Sequence, residues 1–464
     1  MGLLLIVGGG TFLSQEAASH ASRTPLVGRT TTICTTSAPP SGEPAGKTEV
    51  SAVSVREAPG RAGLLTGSTL KSKPSELKLT EPGKGAQQPG VTAPVVIAAD
   101  GSMASASSAV ILGDVSDGPE AGLKAAPCLA PATSHWFSGL GATDADRTDL
   151  ILSNPDDAQA QVDLRFYGRS GRVAVPGSPG IVISGHESRT VSLTSLVEAE
   201  GLLSVSVQAS DGRVTAVAKR TQTDQLKPAG VDWQIPSASP SMVVAIPGVP
   251  EGPGDRQLVV TNPSNTRARV GVQILGFQGP FEPSGAASLD VPPESTATVS
   301  LKDGLAGEAA GVKLTSSMPV TGSVIAPSRR DGAGIDLAVQ SAAVPLIRSG
   351  VSAVATSSIA ESELILSNSG DGDTQISFEV LSYEGVRLRS AEVVLAPNST
   401  ATRRLNSPAP AYVVVKVLDG SSVVGGVVLT QPKRDVAGLA TIPLTSPDLA
   451  SRAPATRPDY SVGQ

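Results

Sequence analysis

A six-residue motif recurs at almost constant spacing, and that recurrence limits the folds open to this chain more than any other feature. Leu150-Ile151-Leu152-Ser153-Asn154-Pro155 returns as Leu258-Val259-Val260-Thr261-Asn262-Pro263 and again as Leu364-Ile365-Leu366-Ser367-Asn368-Ser369, 108 and then 106 residues further along. A period near one hundred residues is the length of a whole domain. Solenoid units are much shorter and bury their cores only against neighbours, whereas a unit of this length can enclose its own.

The pattern around each copy predicts strands. After the Asn turn, Val162, Leu164 and Phe166 alternate with Gln161, Asp163 and Arg165. Val270, Val272 and Ile274 alternate in the second copy, and Ile376, Phe378 and Val380 in the third. Period two with polar partners describes a sheet with one face buried and one face wet. Gly171, Gly279 and Gly385 each lie 17 residues after their Asn, where the chain has to reverse. Val-rich pairs follow, joined in two copies by Asp211-Gly212 and Asp419-Gly420, which are tight-turn dipeptides. Each copy then ends on a closing segment containing Val231-Asp232-Trp233, Ile335-Asp336-Leu337 or Gly438-Leu439-Ala440. About seven short strands per unit predict an all-β protein of tandem immunoglobulin-like or fibronectin-like β-sandwich domains, without the antibody disulfide.

Aromatic residues make up only 3% of the chain, so Val, Leu, Ile and Ala have to build the cores. The net charge of −6, with basic residues in isolated pairs such as Lys219-Arg220 and Arg329-Arg330, argues against nucleic acid as a partner. Residues 1–26 read as a signal peptide or membrane anchor, because an apolar run follows Met1 and Ser19-His20-Ala21 offers a small-residue cleavage site. Residues 27–130 read as a partial β domain with a flexible linker and a mobile insertion at 71–90. Sandwich repeats are expected at 131–239, 240–346 and 347–446, and a disordered tail at 447–464. Cys34 and Cys128 are the two cysteines; in an exported chain they are expected to pair, with two structural thiols as the alternative.

Cys128-Leu129-Ala130-Pro131, Trp136-Phe137-Ser138-Gly139, the first copy of the repeated motif and Val162-Asp163-Leu164 together resemble DUF5719, a family of actinobacterial exported proteins of unknown function. Cys34 resembles that family's early cysteine, although Thr35 stands where a proline usually follows. The resemblance covers roughly residues 30–445. It implies export, membrane attachment near the N-terminus and β-rich repeats, and it implies no activity.

Three histidines, His20, His135 and His186, fall in no metal-binding spacing, and no zinc, nucleophile-elbow or phosphate-loop motif is present. Asp144-Ala145-Asp146-Arg147-Thr148-Asp149 has the alternating carboxylates of a calcium loop without the remainder of that pattern, so a solvated turn is expected. Asn154, Asn262 and Asn368 read as turn formers rather than ligand contacts. His135-Trp136-Phe137 is the densest aromatic cluster, and Trp136 and Phe137 are the candidate partner contacts; a buried plug between the N-terminal region and the first sandwich is the alternative.

The expected role is a non-catalytic, extracytoplasmic protein, secreted or membrane-anchored, that serves as a spacer and as a scaffold for an envelope protein or a cell-wall polymer. Membrane contact is expected only through the N-terminal segment, and no cofactor or metal is expected. A carbohydrate-binding array is the alternative, disfavoured by two Trp and four Tyr. A carboxylate-dependent glycan hydrolase is less favoured still, because no set of polar residues converges.

Overall fold

A computed structural model describes residues 28–36, 46–57, 60–197, 201–225, 227–328, 334–420, 422–431 and 435–447. The expected leader at 1–26 lies outside the described residues, as does the expected tail apart from residue 447. The chain is all-β: strands in antiparallel sheets make up nearly all of its regular structure, and among the described residues short helices occur only at Gly101–Ala106, Lys302–Leu305 and Leu193–Ser195.

The first repeat has eight strand positions. They are Ser134–Leu140, Asp146–Asn154, Ala160–Gly168, a fourth split into Gly171–Val173 and Ile181–Ile183, then Glu187–Ser192, Leu203–Asp211, Thr215–Asp224 and Lys227–Gln234. One sheet runs first-sixth-third-fourth and the other fifth-second-seventh-eighth. Their facing sides share one core: Leu150 and Leu152 of the second strand meet Val162, Leu164 and Phe166 of the third and Val205 and Val207 of the sixth. The alternation read from the sequence is the alternation of burial along Ala160–Gly168.

The third repeat has the same order, and so does the second, where the single strand Ala310–Ser328 serves as sixth strand in one sheet and seventh in the other. The N-terminal region departs from expectation. It is a fourth copy of the same fold, with strands Arg29–Cys34, Lys47–Ser54, Leu65–Thr69, Pro74–Leu79, Gly85–Pro89, Val95–Asp100, Ser107–Val115 and Gly122–Pro127 in the same two orders. The stretch 71–90, expected to be a mobile insertion, supplies its fourth and fifth strands. This copy is hard to see in the sequence because its second strand carries Ser54 at the place where the repeats carry Asn, so the repeated motif is lost.

Cys34 ends the first strand of this unit and Cys128 follows its last, and a disulfide joins them, buried in the unit's core. Ile33 and Leu129 exchange backbone hydrogen bonds beside it. The bridge therefore locks the beginning of the unit to its end.

The four units close on themselves. Their last strands, Gly122–Pro127, Lys227–Gln234, Asp336–Ser341 and Gly438–Pro443, pack around one centre, each against the next and the fourth against the first. Ring closure joins residues about 300 positions apart and more. Val110, Leu112, Leu123 and Ala125 of the N-terminal unit enter the core cluster of the third repeat. Tyr412 donates from its hydroxyl to Gly83 O at 2.9 Å, Gly85 N–H donates to Tyr383 O at 2.8 Å, and Lys416 meets Glu57 at 2.6 Å.

Candidate functional site

A buried cluster of polar groups lies at the centre of this ring. Asp336 begins the closing strand of the second repeat and is fully buried. Its Oδ1 accepts N–H bonds from Val231 at 3.0 Å and Leu337 at 2.9 Å, and its Oδ2 from Leu123 and Leu439, both at 2.8 Å. Each of the four units thus gives one backbone donor to one carboxylate. Burial pushes this carboxyl up to about 7, against the downward pull of those four donors.

The residue before each donor is Gly122, Gly230, Asp336 or Gly438. Glycine is needed at two of these places for steric reasons. A Cβ on Gly122 would sit 2.6 Å from Asp336 Oδ1, and one on Gly230 would sit 2.7 Å from the Leu337 side chain. Three units leave room and the remaining one supplies the group that fills it. The sequence places Asp232 and Asp336 at matching points of the closing segment, but the hydrogen bonds align Val231 with Leu337, so the two carboxylates have different roles. Asp232, also fully buried, accepts from Trp233 N–H at 2.8 Å and Val339 N–H at 2.7 Å, tying the first repeat to the second. Burial raises its carboxyl well above the usual range.

Charged groups continue from this centre into the junction between the N-terminal unit and the first repeat. Glu120 accepts from Lys219 at 2.6 Å and Lys124 at 3.0 Å, and all three side chains are buried. Burial pushes the Lys124 ammonium down while Glu120 holds it up, and its Nζ lies 5.5 Å from the Trp233 ring centre. Arg220, 1% exposed, makes a two-pronged pair with Asp146 at 2.8 and 2.6 Å and donates to Gly139 O at 2.9 Å. Asp146 also accepts from Gln222 at 3.1 Å, so the middle carboxylate of the calcium-like stretch is spent on a cation and an amide. Among the described residues, no three His, Cys, Asp or Glu side chains are grouped so as to hold a metal ion.

The repeated Asn residues perform the same task three times. Asn154, Asn262 and Asn368 each donate from Nδ2 to the carbonyl four residues on, at 2.7, 2.8 and 2.8 Å, and each accepts at Oδ1 from the N–H two residues on. Each also reaches the returning fourth strand at Ile183 O, Val291 O or Leu395 O, all at 3.2 Å. The motif is a turn clamp in a buried setting.

Trp136 and Phe137 point to opposite faces of their strand. Phe137 is fully buried in the core of the first repeat. Trp136 is half-buried beside Tyr167, with ring centres 5.7 Å apart, and shares its face with Ser138, whose hydroxyl meets Thr261 of the second repeat at 2.6 Å. His135 is buried against Val214 O at 2.8 Å, and burial lowers its pKa. A hydroxyl chain of Ser138, Thr261, Ser204 and Thr296 fills this junction, and Thr296 ends it on Tyr167 O at 2.8 Å. Thr400 repeats that last contact on Leu275 O at 2.6 Å between the second and third repeats.

Surface clefts lie at junctions of the ring. One of about 610 Å³ is bordered by Arg169, Gln257, Asp290, Thr296 and Thr298, and one of about 70 Å³ by Glu251, Glu361, Glu363, Arg404 and Asn406. Neither is bordered by the central carboxylates, which are enclosed by backbone. Sequence reasoning missed the centre because its donors are main-chain N–H groups, which carry no residue signature; the glycine preceding three of the four donors was the available signal.

A family profile described as "Family of unknown function (DUF5719)" matches residues 80–406, more than two thirds of the chain. No curated protein matches it.

Proposed function

Because the chain belongs to the DUF5719 family, whose function is not established, its role has to come from its own geometry, and we propose a non-catalytic scaffold that works outside the cytoplasm. The observation that carries this reading is the closed ring. Four sandwiches that converge on one buried carboxylate and lock end to end form a rigid platform, with the buried ionisable groups of its centre spent on holding units together. A platform of this kind presents surfaces at fixed angles, which suits docking better than simple spacing.

The buried Cys34–Cys128 disulfide supports an oxidising compartment, since such bonds persist outside the cytosol. An N-terminal leader or anchor, immunoglobulin-like units, and an envelope protein or wall polymer as partner complete the proposal. Among the described residues, no helix is long and apolar enough to cross a membrane. The test is capture from cells: the tagged full-length protein is cross-linked on intact cells, and the purified protein is separately incubated with insoluble wall polymer. Recovery of a defined envelope protein supports the scaffold reading. Retention on bare polymer alone favours carbohydrate binding, and cleavage of the polymer by the purified protein overturns the proposal.

A further inference from the structure

The residue preceding each copy of the repeated motif is Asp149, Gln257 or Glu363. Leu258 and Val260 point into the core of the second repeat, so Gln257 and Val259 lie on the other face, toward the first repeat, where Leu202 packs against the cluster that holds Val259. At the first of these positions Asp149 lies 3.8 Å from Lys219, which Glu120 of the N-terminal unit holds at 2.6 Å. At the third, Glu363 stands opposite Arg404 in the strand pairing and is held down by its charge. At the second, the strand partner of Gln257 is Ser300, whose hydroxyl is turned to Asp255. Charge is matched at two of the three positions, whereas Gln257 is neutral and unmatched.

That difference coincides with the cleft of about 610 Å³ between the first and second repeats, against about 70 Å³ for the cleft at Glu363. A junction between domains is a frequent place for a ligand site, and such sites enclose roughly 300 to 1,000 Å³. Arg169, Gln257 and Thr298 border the larger cleft, and their side chains make no hydrogen bond or ion pair among the described residues. Asp290, on the same border, meets Arg269 at 3.9 Å in a loose contact between exposed side chains. One guanidinium and one carboxylate cancel, so the border carries no net charge. Leu202 and Leu289 add aliphatic surface to it.

We propose that this cleft binds an uncharged glycan segment bearing acetamido groups. Arginine, aspartate and glutamine side chains each present two polar atoms in one plane, which suits the adjacent hydroxyls of a sugar ring. An acetamido group adds a carbonyl acceptor for Arg169, an N–H donor for Asp290 or Gln257, and a methyl group for Leu202 and Leu289. It thereby matches the aliphatic part of the border as well as the polar part. A charged polymer fits less well, because it would be attracted by one of Arg169 and Asp290 and repelled by the other. The aliphatic side chains take the place of the aromatic platform for which a chain with 3% aromatic residues has little material.

The site names one docking partner of the proposed scaffold and rests on that reading, but it is tested apart from it, on purified, oxidised full-length protein. The probe is the β-linked N-acetylglucosamine tetrasaccharide, followed by titration calorimetry and, as a photoreactive derivative, by mass spectrometry of the labelled peptides. Three results together support the proposal: saturable binding, labelling confined to the segments carrying Arg169 and Thr298, and binding about tenfold weaker or more in both Arg169→Ala and Gln257→Ala. Lys78→Ala, on the N-terminal unit, should bind as wild type. Absence of saturable binding, labelling elsewhere, or unchanged affinity in either cleft variant overturns it. Equal affinity for a glucose tetrasaccharide without acetamido groups does so too, and so does displacement of the probe by a neutral glycine-serine octapeptide, which gives the cleft to extended main chain. Capture of an envelope protein on intact cells would leave the scaffold standing in any of these cases, so the two readings fall separately.

Discussion

Asn262→Ala should destabilise the protein by about 2 to 4 kcal/mol, and Asn262→Asp by more. Asn262 is fully buried; its Nδ2 serves Thr266 O at 2.8 Å, Pro292 O at 2.9 Å and Val291 O at 3.2 Å, and its Oδ1 accepts from Ser264 N–H at 3.0 Å. Alanine removes all four bonds. The turn groups recover part of the loss from water, while Val291 O stays enclosed, and a buried polar group left without a partner costs about 1 to 3 kcal/mol. Aspartate keeps the acceptor toward Ser264 but turns a charged oxygen toward three carbonyl oxygens, which adds repulsion to the lost donors. The order wild type, Ala, Asp is therefore specific to a clamp, because a surface ligand contact would leave stability nearly unchanged. Urea unfolding followed by far-ultraviolet circular dichroism measures it, with Asn154 and Asn368 substituted in parallel. An Asn262→Asp protein within about 0.5 kcal/mol of wild type would refute the assignment of the repeated motif to turn clamping.

Replacing Cys34 with Ala should cost about 4 to 5 kcal/mol in the chain-entropy model for a loop of this length, with a separation of 94 residues. The urea midpoint of wild type with reductant should then fall to that of the variant, and reductant without effect on wild type would contradict this. Arg220→Met strands Asp146 and Gly139 O beneath the first repeat and is expected to lower stability by about 3 kcal/mol or more; Arg220→Lys should rescue little, since one ammonium cannot make the two-pronged pair. Asp336 gives a pH prediction. Its folded carboxyl is raised to about 7 from an ordinary value of 3.8, so between those values the folded protein holds a proton that the unfolded chain has released. Its contribution is full below about pH 4 and is lost as pH rises toward 7. Asp336→Asn should flatten the fall in stability across that window, and an unchanged slope in the variant would sink the argument.

Three of the four units could be read from the chain because local sequence dictates them: alternation along Ala160–Gly168, a glycine at each reversal, and an Asn that bonds to residues two and four positions away. The N-terminal unit escaped because its second strand lacks that Asn and its fourth and fifth strands, Pro74–Leu79 and Gly85–Pro89, are short and polar enough to pass for a linker. Trp136 and Phe137 stood out as aromatic neighbours, yet adjacency in a strand separates side chains onto opposite faces, so one fills a core and the other a junction.

What the sequence determined by itself was the unit: its length, its strands, its turn clamps and the composition of its cores, all set by interactions within about a hundred residues. Only the tertiary structure decided that four units close into a ring, that four main-chain donors meet on Asp336, and that a cleft stays open between the first and second repeats. Those outcomes depend on backbone groups and on surfaces brought together from residues hundreds of positions apart, and main-chain N–H groups are the same in every residue but proline. Their meeting is fixed by how the sandwiches pack, a property that no local pattern of side chains encodes.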